Sequence, residues 1–353
     1  MNTISTALPA ATVADANTNS GTNIGAAKSK WIGLALLAVA LLVLPFLFKN
    51  YRVFQFNLVM VYAIAILGLN ILTGFNGQIS LGHGAFYAFG AYTTAILMDK
   101  AGMPYWATLP LAGIVCFAFG YLMGFPALRL AGHYLALATF ALALAVPQLL
   151  KYKKIEAYTG GVQGIVLSKP EPPFDFSLFG QPLSPDRWLY FVCLIVTVIM
   201  FLLAYNLLHG RVGRALIAVR DHPIAATAMG INLPVFKSLT FGVSAAFCGV
   251  AGGLGAIVVA FVSPDSFTLN LSIFLLVGVV VGGLASIPGA IFGAIFIQYM
   301  PNIADEVSKS APAAIYGILL IVLMYVMPLG IMGGIRTAWA KFRARSGGLS
   351  GQP

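Results

Sequence analysis

From Trp31 onward, long apolar runs interrupted by short polar or glycine-rich segments dominate the chain. A helix that spans the hydrocarbon core of a bilayer needs roughly 20 apolar residues, and the pattern predicts about ten candidate runs. They are Trp31 to Phe48, Phe56 to Leu72, Ile79 to Met98, Tyr105 to Leu128, His133 to Leu150, Trp188 to Leu208, Ser238 to Phe261, Ser272 to Ala285, Gly289 to Tyr299 and Ala314 to Ile331. The eighth and ninth are too short for simple spans and read as broken or re-entrant helices, tolerated where protein or a water-filled cavity covers the exposed backbone. The predicted fold class is an all-α polytopic membrane protein with about eight to ten transmembrane helices, broken segments included.

The segments between the runs set an orientation. Residues 1–30, rich in Ala, Thr, Asn and Ser, predict a disordered cytoplasmic tail and not a secretory signal. Lys28 and Lys30 hold that tail inside. Counting spans from there places the 209–237 loop in the cytoplasm with the basic 336–353 tail, which carries Arg336, Lys341, Arg343 and Arg345. The 151–187 loop falls outside. Its Lys151, Lys153 and Lys154 run against the positive-inside preference, which long loops obey poorly. The membrane domain covers 31–335.

Composition agrees: the 353 residues are 59% apolar and 8% charged, with a mean hydropathy of +0.91. The net charge of +10 is divided among membrane flanks and loops, which implies no nucleic-acid partner. Cys116, Cys193 and Cys248 lie in separate apolar runs without metal-ligand spacing and read as packing residues. The acidic residues fall in predicted loops, span ends or the N-terminal tail, so an ion-coupling site built on buried carboxylates is disfavoured. No GxxxxGK[ST] phosphate loop occurs, no catalytic constellation and no metal site is predicted, and any energy source lies on another chain. His83 and His133 stand near span ends without an acid, Cys or second His at useful spacing, which favours structural over catalytic roles.

Two interruptions carry most of the remaining information. Gly68 to Tyr92, GLNILTGFNGQISLGHGAFYAFGAY, interleaves Asn70, Thr73, Asn76, Gln78, Ser80 and His83 with Gly74, Gly77, Gly82 and Gly84. That is too polar for a lipid-facing helix. It reads either as a break whose backbone lines a solute pathway or as a tight turn between two spans. Gly278 to Ala294, GVVVGGLASIPGAIFGA, is a fainter echo of it, and Gly-Ala composition alone also accounts for the likeness.

Outside the apolar framework, Gly210 to Lys237 is a basic, helix-patterned loop suited to being gripped from the aqueous side. Asp221 with Pro223 opens a short helix there and Gly230 closes it, since Asp caps free amides, Pro suits a first turn and Gly suits an exit. In the outer loop, Thr159-Gly160-Gly161-Val162-Gln163-Gly164 predicts a shaped turn, either receiving an external partner or merely connecting spans.

These motifs together resemble the membrane subunit of an ABC importer, of the LivM type found in branched-chain amino acid uptake systems. The matching parts are GLNILTGFNGQISLGHGAFYAFGAY, TGGVQGI, GRALIAVRDHPIAATAMGI and AFVSPDSFTLNLSIFLLVGVVVGGLASIPGAIFGA, in the family's order between about Val61 and Gly330. The resemblance implies an ABC importer permease fold in a bacterial inner membrane, a second LivH-like permease, two cytoplasmic ATPase subunits that bind ATP and Mg, and a periplasmic solute-binding protein. It implies no cofactor on this chain. The 209–237 loop becomes a coupling helix seated on an ATPase, with Arg220, Asp221, Ala225, Ala226 and Gly230 as its coupling residues. Importer permeases carry Glu-Ala-Ala, three intervening residues and then Gly; here Ile224 stands in place of the Glu, which leaves Arg220 and Asp221 as candidates for polar docking. Asn70, Gly74, Asn76, Gly77, Gln78, Ser80, Gly82 and His83 become the translocation pathway, and Thr159, Gly160, Gly161 and Gly164 part of the binding-protein face.

The implied solutes are leucine, isoleucine and valine, with urea or short amides as alternatives within the same family. A stand-alone ion-coupled transporter and a membrane enzyme acting on lipids are the rival classes, the first weakened by the missing carboxylates and the second by the missing nucleophile.

Overall fold

The computed structural model describes residues 39–128, 133–174, 177–178, 181–307, 309 and 311–347. The expectations placed on the tail, on Lys28 and Lys30 and on the start of the first run fall outside these residues. The chain divides into two compact units, Met1–Phe48 and Lys49–Pro353. In the first, a helix α1 covers 39–47.

The second unit is built from helices in chain order: α2 (Asn50–Asn70), α3 (His83–Asp99), α4 (Tyr105–Leu128), α5 (His133–Leu150), α6 (Glu156–Thr159), α7 (Pro185–His209), α8 (Arg211–Asp221), α9 (Pro223–Ala228), α10 (Leu233–Val259), α11 (Leu269–Gly282), α12 (Gly289–Val307), α13 (Pro312–Val326) and α14 (Gly330–Gly347). Two short antiparallel ladders complete it. Strand β1 (Ile165–Val166) pairs with β4 (Phe261–Val262) in the register Ile165 to Val262, and β2 (Ser177–Leu178) pairs with β3 (Gln181–Pro182).

Among the described residues, five stretches are long and apolar enough to cross a membrane: Asn50–Phe75, Tyr105–Phe125, Pro185–His209, Leu233–Val259 and Ala314–Ala340, the last counted across the turn at 327–329. Their surroundings differ. Val61, Ile64, Ile66, Leu67 and Leu69 of α2 are fully buried, so this helix is apolar all round because protein surrounds it. By contrast, α7 exposes Ile195, Val198, Ile199 and Leu202, and α13 exposes Ile318, Ile321, Val322 and Tyr325. Those are faces for lipid or for another apolar chain.

The centre of the core is α10, which packs against α2, α3 and α4. Small residues permit this closeness: a Cβ at Gly252 would fall 2.0 Å from the Tyr87 carbonyl oxygen, and one at Gly249 would fall 2.4 Å from Cys116 Sγ. The three cysteines are buried and free, with Cys116 donating to the Phe86 carbonyl and Cys248 to that of His83. They are packing residues, as their spacing implied.

Several boundaries move. The third run begins as helix only at His83, because 76–82 is irregular chain, with Gly77 at φ +73. The ninth run is a helix through Val307 that continues past its apolar part into Asn302, Asp305 and Glu306, so it is not a short fragment. The tenth is interrupted at 327–329 and resumes at Gly330, with φ +72, so the segment read as a basic tail is helical through Gly347.

Candidate functional site: a polar break held by five elements

At its C-terminal end α2 passes into a π-helical turn, Ile71–Phe75, after which the chain follows an irregular path to the start of α3. A π turn widens the helix and disturbs its hydrogen-bond ladder, and such turns recur at functional sites. Here the chain turns back into the apolar layer: His83 reaches Ser244, roughly 16 Å along α10 from Leu233. Helix α3 therefore starts well inside that layer. So does α11, whose Ser272 Oγ accepts from the Gly84 amide at 2.9 Å.

Polar groups of the break reach several neighbouring elements. Asn70 donates from Nδ2 to the Ser286 carbonyl at 2.9 Å and accepts at Oδ1 from the Ala285 amide at 2.9 Å, joining the first glycine-rich interruption directly to the second. Gln78 donates to the Lys237 carbonyl of α10 at 3.4 Å. The Leu81 amide donates to Thr139 Oγ1 of α5 at 2.9 Å. Arg220 of α8 donates from Nη1 to the Gly74 carbonyl at 2.8 Å. The two faint echoes in the sequence are thus one joint in space.

His83 is a strut within it. Its Nδ1 lies 3.0 Å from Ser80 Oγ, its Nε2 2.7 Å from Ser244 Oγ, and Ser244 donates onward to the Gly68 carbonyl at 2.6 Å. Because the Ser244 hydroxyl hydrogen is spent on Gly68, the chain of donors closes with the Nε2–H tautomer and Ser80 donating to Nδ1. The imidazole is fully satisfied, which fits the structural role.

Burial is nearly complete across the candidate pathway. Asn70, Asn76, Gln78, Ser80 and His83 are all buried, as are Gly74 and Gly82, while Gly77 and Ile79 reach the surface. Asn76 stands apart: both amide atoms are buried without a hydrogen-bond partner among the described residues. Leaving such a group unpaired costs about 1–3 kcal/mol.

The aqueous loop forms two helices where one was expected. Helix α8 buries Gly213, Leu216 and Val219, and Asp221 is its last residue and not the cap of the next. His222 takes the N-cap position of α9 without a side-chain bond. The Asp221 carboxylate instead accepts from Arg220 Nε at 2.8 Å, and this hydrogen bond holds its carboxyl below the ordinary carboxylate range. The helix ends at Asp221 because Pro223 disfavours helical backbone in the residue before it, and His222 leaves the helix at φ -144 and ψ 82. Gly230 forms the expected exit at φ +85. On α9 and its exit, Ala226 is buried whereas Ile224 is 88% and Met229 85% exposed. Asn232, which the sequence reading did not single out, caps α10 by accepting from the Val235 amide.

At the opposite end, the turn after α6 needs its glycines: Gly160, Gly161 and Gly164 all have positive φ, and Gly164 backs onto the Val262 carbonyl. Thr159 is buried and donates to the Leu150 carbonyl at 2.9 Å, anchoring the turn to α5. These four residues shape the turn. What it presents outward is Tyr158, Val162, Gln163 and Val166, residues visible in sequence only as apolar or polar side chains flanking obligatory glycines.

The model of the family described as the permease component of branched-chain amino acid transport systems matches residues 51–328. The chain belongs to that family. The match encloses the break, the joint, α8 and α9, and the outer turn. This permease is 35% identical over 344 residues to the high-affinity branched-chain amino acid permease protein LivM of Salmonella typhimurium, covering 92% of the chain and 79% of that relative. It is 37% identical over 320 residues to LivM of Escherichia coli, covering 84% and 74%. LivH of Escherichia coli is 26% identical over 293 residues, covering 77% of this permease and 91% of that relative. No solved structure matches.

Proposed function

We propose that this permease is the LivM-type subunit of an ATP-driven importer in a bacterial inner membrane, passing leucine, isoleucine or valine delivered by a periplasmic binding protein. It pairs with a LivH-like permease and with two cytoplasmic ATPases that hold the ATP and Mg. The observation that carries the reading is the surface of α9: a short helix outside the apolar framework that holds Ala226 inward while Ile224 and Met229 project almost fully into solvent. Large apolar side chains so exposed on an aqueous segment mark a protein contact. Ile224 supplies an apolar knob where importer permeases carry Glu, so docking rests on burial of Ile224 and Met229. Asn70, Gly74, Asn76, Gly77, Gln78, Ser80, Gly82 and His83 form the moving wall of the pathway, and the turn at Thr159, Gly160, Gly161 and Gly164 faces the binding protein through Tyr158, Val162 and Val166.

The test is co-purification in mild detergent of wild type and Ile224→Asp. Burying an Ile is worth about 1.5–3 kcal/mol, so the substitution weakens capture of the ATPase pair about 10- to 100-fold. Wild type recovers both ATPases and a second permease. A wild-type protein that purifies alone, yet takes up solute in vesicles lacking ATP, would sink the importer reading.

A further inference from the structure

We infer that Arg220 is a positioning residue that transmits movement of the ATPase-gripped segment directly to the polar break, through its bond to the Gly74 carbonyl. The inference rests on the importer reading. The resemblance offered Arg220 for polar docking on the ATPase, but the geometry turns its guanidinium the other way, into the permease. Nη1 donates to the Gly74 carbonyl while Nε donates to Asp221, so the exposed carboxylate orients the guanidinium toward the break. The stem is held as well. Gly77 has φ +73, and a Cβ there would fall 2.8 Å from Arg220 Cγ, so the aliphatic part of Arg220 lies against the Gly77 backbone. Only glycine both adopts that conformation and leaves room for the stem.

Gly74 is held on its other side by the joint. A Cβ at Gly74 would meet Asn70 Oδ1 at 2.2 Å and the Ala285 amide nitrogen at 2.4 Å. The peptide that receives the Arg220 bond is therefore the one against which the two glycine-rich interruptions close. Arg220 lies in the last turn of α8, and the exposed Ile224 follows it closely in sequence. A displacement of α9 reaches the joint through one side chain.

Asn76 supplies an independent sign that the break has a second arrangement. Its buried amide lacks a partner among the described residues, two residues beyond Gly74 and beside the Gly77 that cradles Arg220. Polar groups orphaned in one state and paired in another provide the differential contacts that a two-state switch requires. Release of the Arg220 bond frees the π turn to unwind, and the second arrangement gives Asn76 the hydrogen bonds it lacks.

The experiment uses the complete complex, reconstituted in vesicles with both ATPases, the partner permease and the binding protein. The specific readout is solute imported per ATP hydrolysed, because a merely structural defect lowers both quantities together. Arg220→Ala is expected to retain the ATPase pair and to lower that ratio at least about tenfold, the effect of roughly 1.4 kcal/mol of lost coupling. Arg220→Lys, which keeps the charge and one donor, recovers part of it. An unchanged ratio in Arg220→Ala overturns the proposal, and a folded, inserted Arg220→Ala that loses the ATPase pair overturns it in favour of docking.

Should Arg220→Ala fail to fold or insert, hydrogen exchange on the wild-type complex decides. Amides at 72–78 and 218–224 are expected to change protection together when a non-hydrolysable ATP analogue binds, and a change confined to 218–224 overturns the proposal. A wild-type complex without ATPases is a different result, since it removes the importer reading itself.

Discussion

The polar break at 70–83 and the outer turn at 159–164 are both glycine-rich and polar in sequence and behave differently in the fold. In the outer turn, Gly160, Gly161 and Gly164 supply positive φ, Thr159 is satisfied by the Leu150 carbonyl, and the intervening side chains point outward. In the break, the glycines allow close approach by other elements, most of the polar side chains are buried, and Asn76 has no partner among the described residues. One segment is shaped by its own backbone and presents a surface. The other is shaped by five neighbours and presents almost none. The contrast teaches that glycine content alone does not separate a rigid platform from a moving part; what separates them is whether the buried polar groups are satisfied locally or across the fold.

The sharpest way to break this comparison is to place a Val at Gly74 and at Gly160. At Gly74 the new Cβ falls 2.4 Å from a backbone nitrogen of the second interruption, which has no rotamer to yield. Gly74→Val is expected to lower uptake by about a hundredfold or more, equivalent to roughly 3 kcal/mol, with the ATPases still bound. At Gly160 the clash is with the nearby Gly164 carbonyl, inside the turn itself. Uptake by Gly160→Val should recover as binding protein is added in excess. Equal and unrecoverable losses at both sites would erase the distinction.

Asn70→Asp tests the joint more gently. The aspartate keeps an acceptor for the Ala285 amide but replaces the donor to the Ser286 carbonyl with a second acceptor. Losing a buried donor costs about 1–3 kcal/mol. Uptake should fall about tenfold, with a lower unfolding midpoint in detergent. A silent substitution would show that the two interruptions do not act as one unit.

Much of this was legible beforehand, for reasons that also explain the misses. Apolar runs mark helices because unsatisfied backbone is intolerable in lipid, so α4, α5, α7 and α10 lie close to their predicted runs. Helix ends were less legible: Asp221 fits an N-cap locally, yet Arg220 beside it claims the carboxylate. The break announced itself through polar residues in an apolar setting. Its partners did not, since Asn70 and Ala285 are brought together only by the packing of α2 against α11 and α12, and no local pattern encodes a contact across so much chain. In sequence Ile224 is only a departure from a motif; its near-complete exposure is what gives the departure a physical meaning.

The smallest expected effect belongs to the outer surface. Val166 is 77% exposed on β1, whose neighbour Ile165 is buried against the ladder with β4, so a polar residue at 166 changes the surface and leaves the turn intact. Most contacts in a protein interface are worth less than about 1 kcal/mol each, and only central ones exceed it. Val166→Asp should therefore raise the binding-protein concentration for half-maximal uptake about fivefold and leave the maximal rate unchanged. That separation is the signature of a platform, because it alters capture and not the step that follows. A reduced maximal rate with unaltered half-saturation would place the outer turn inside the moving machinery, on the same side of the comparison as the break.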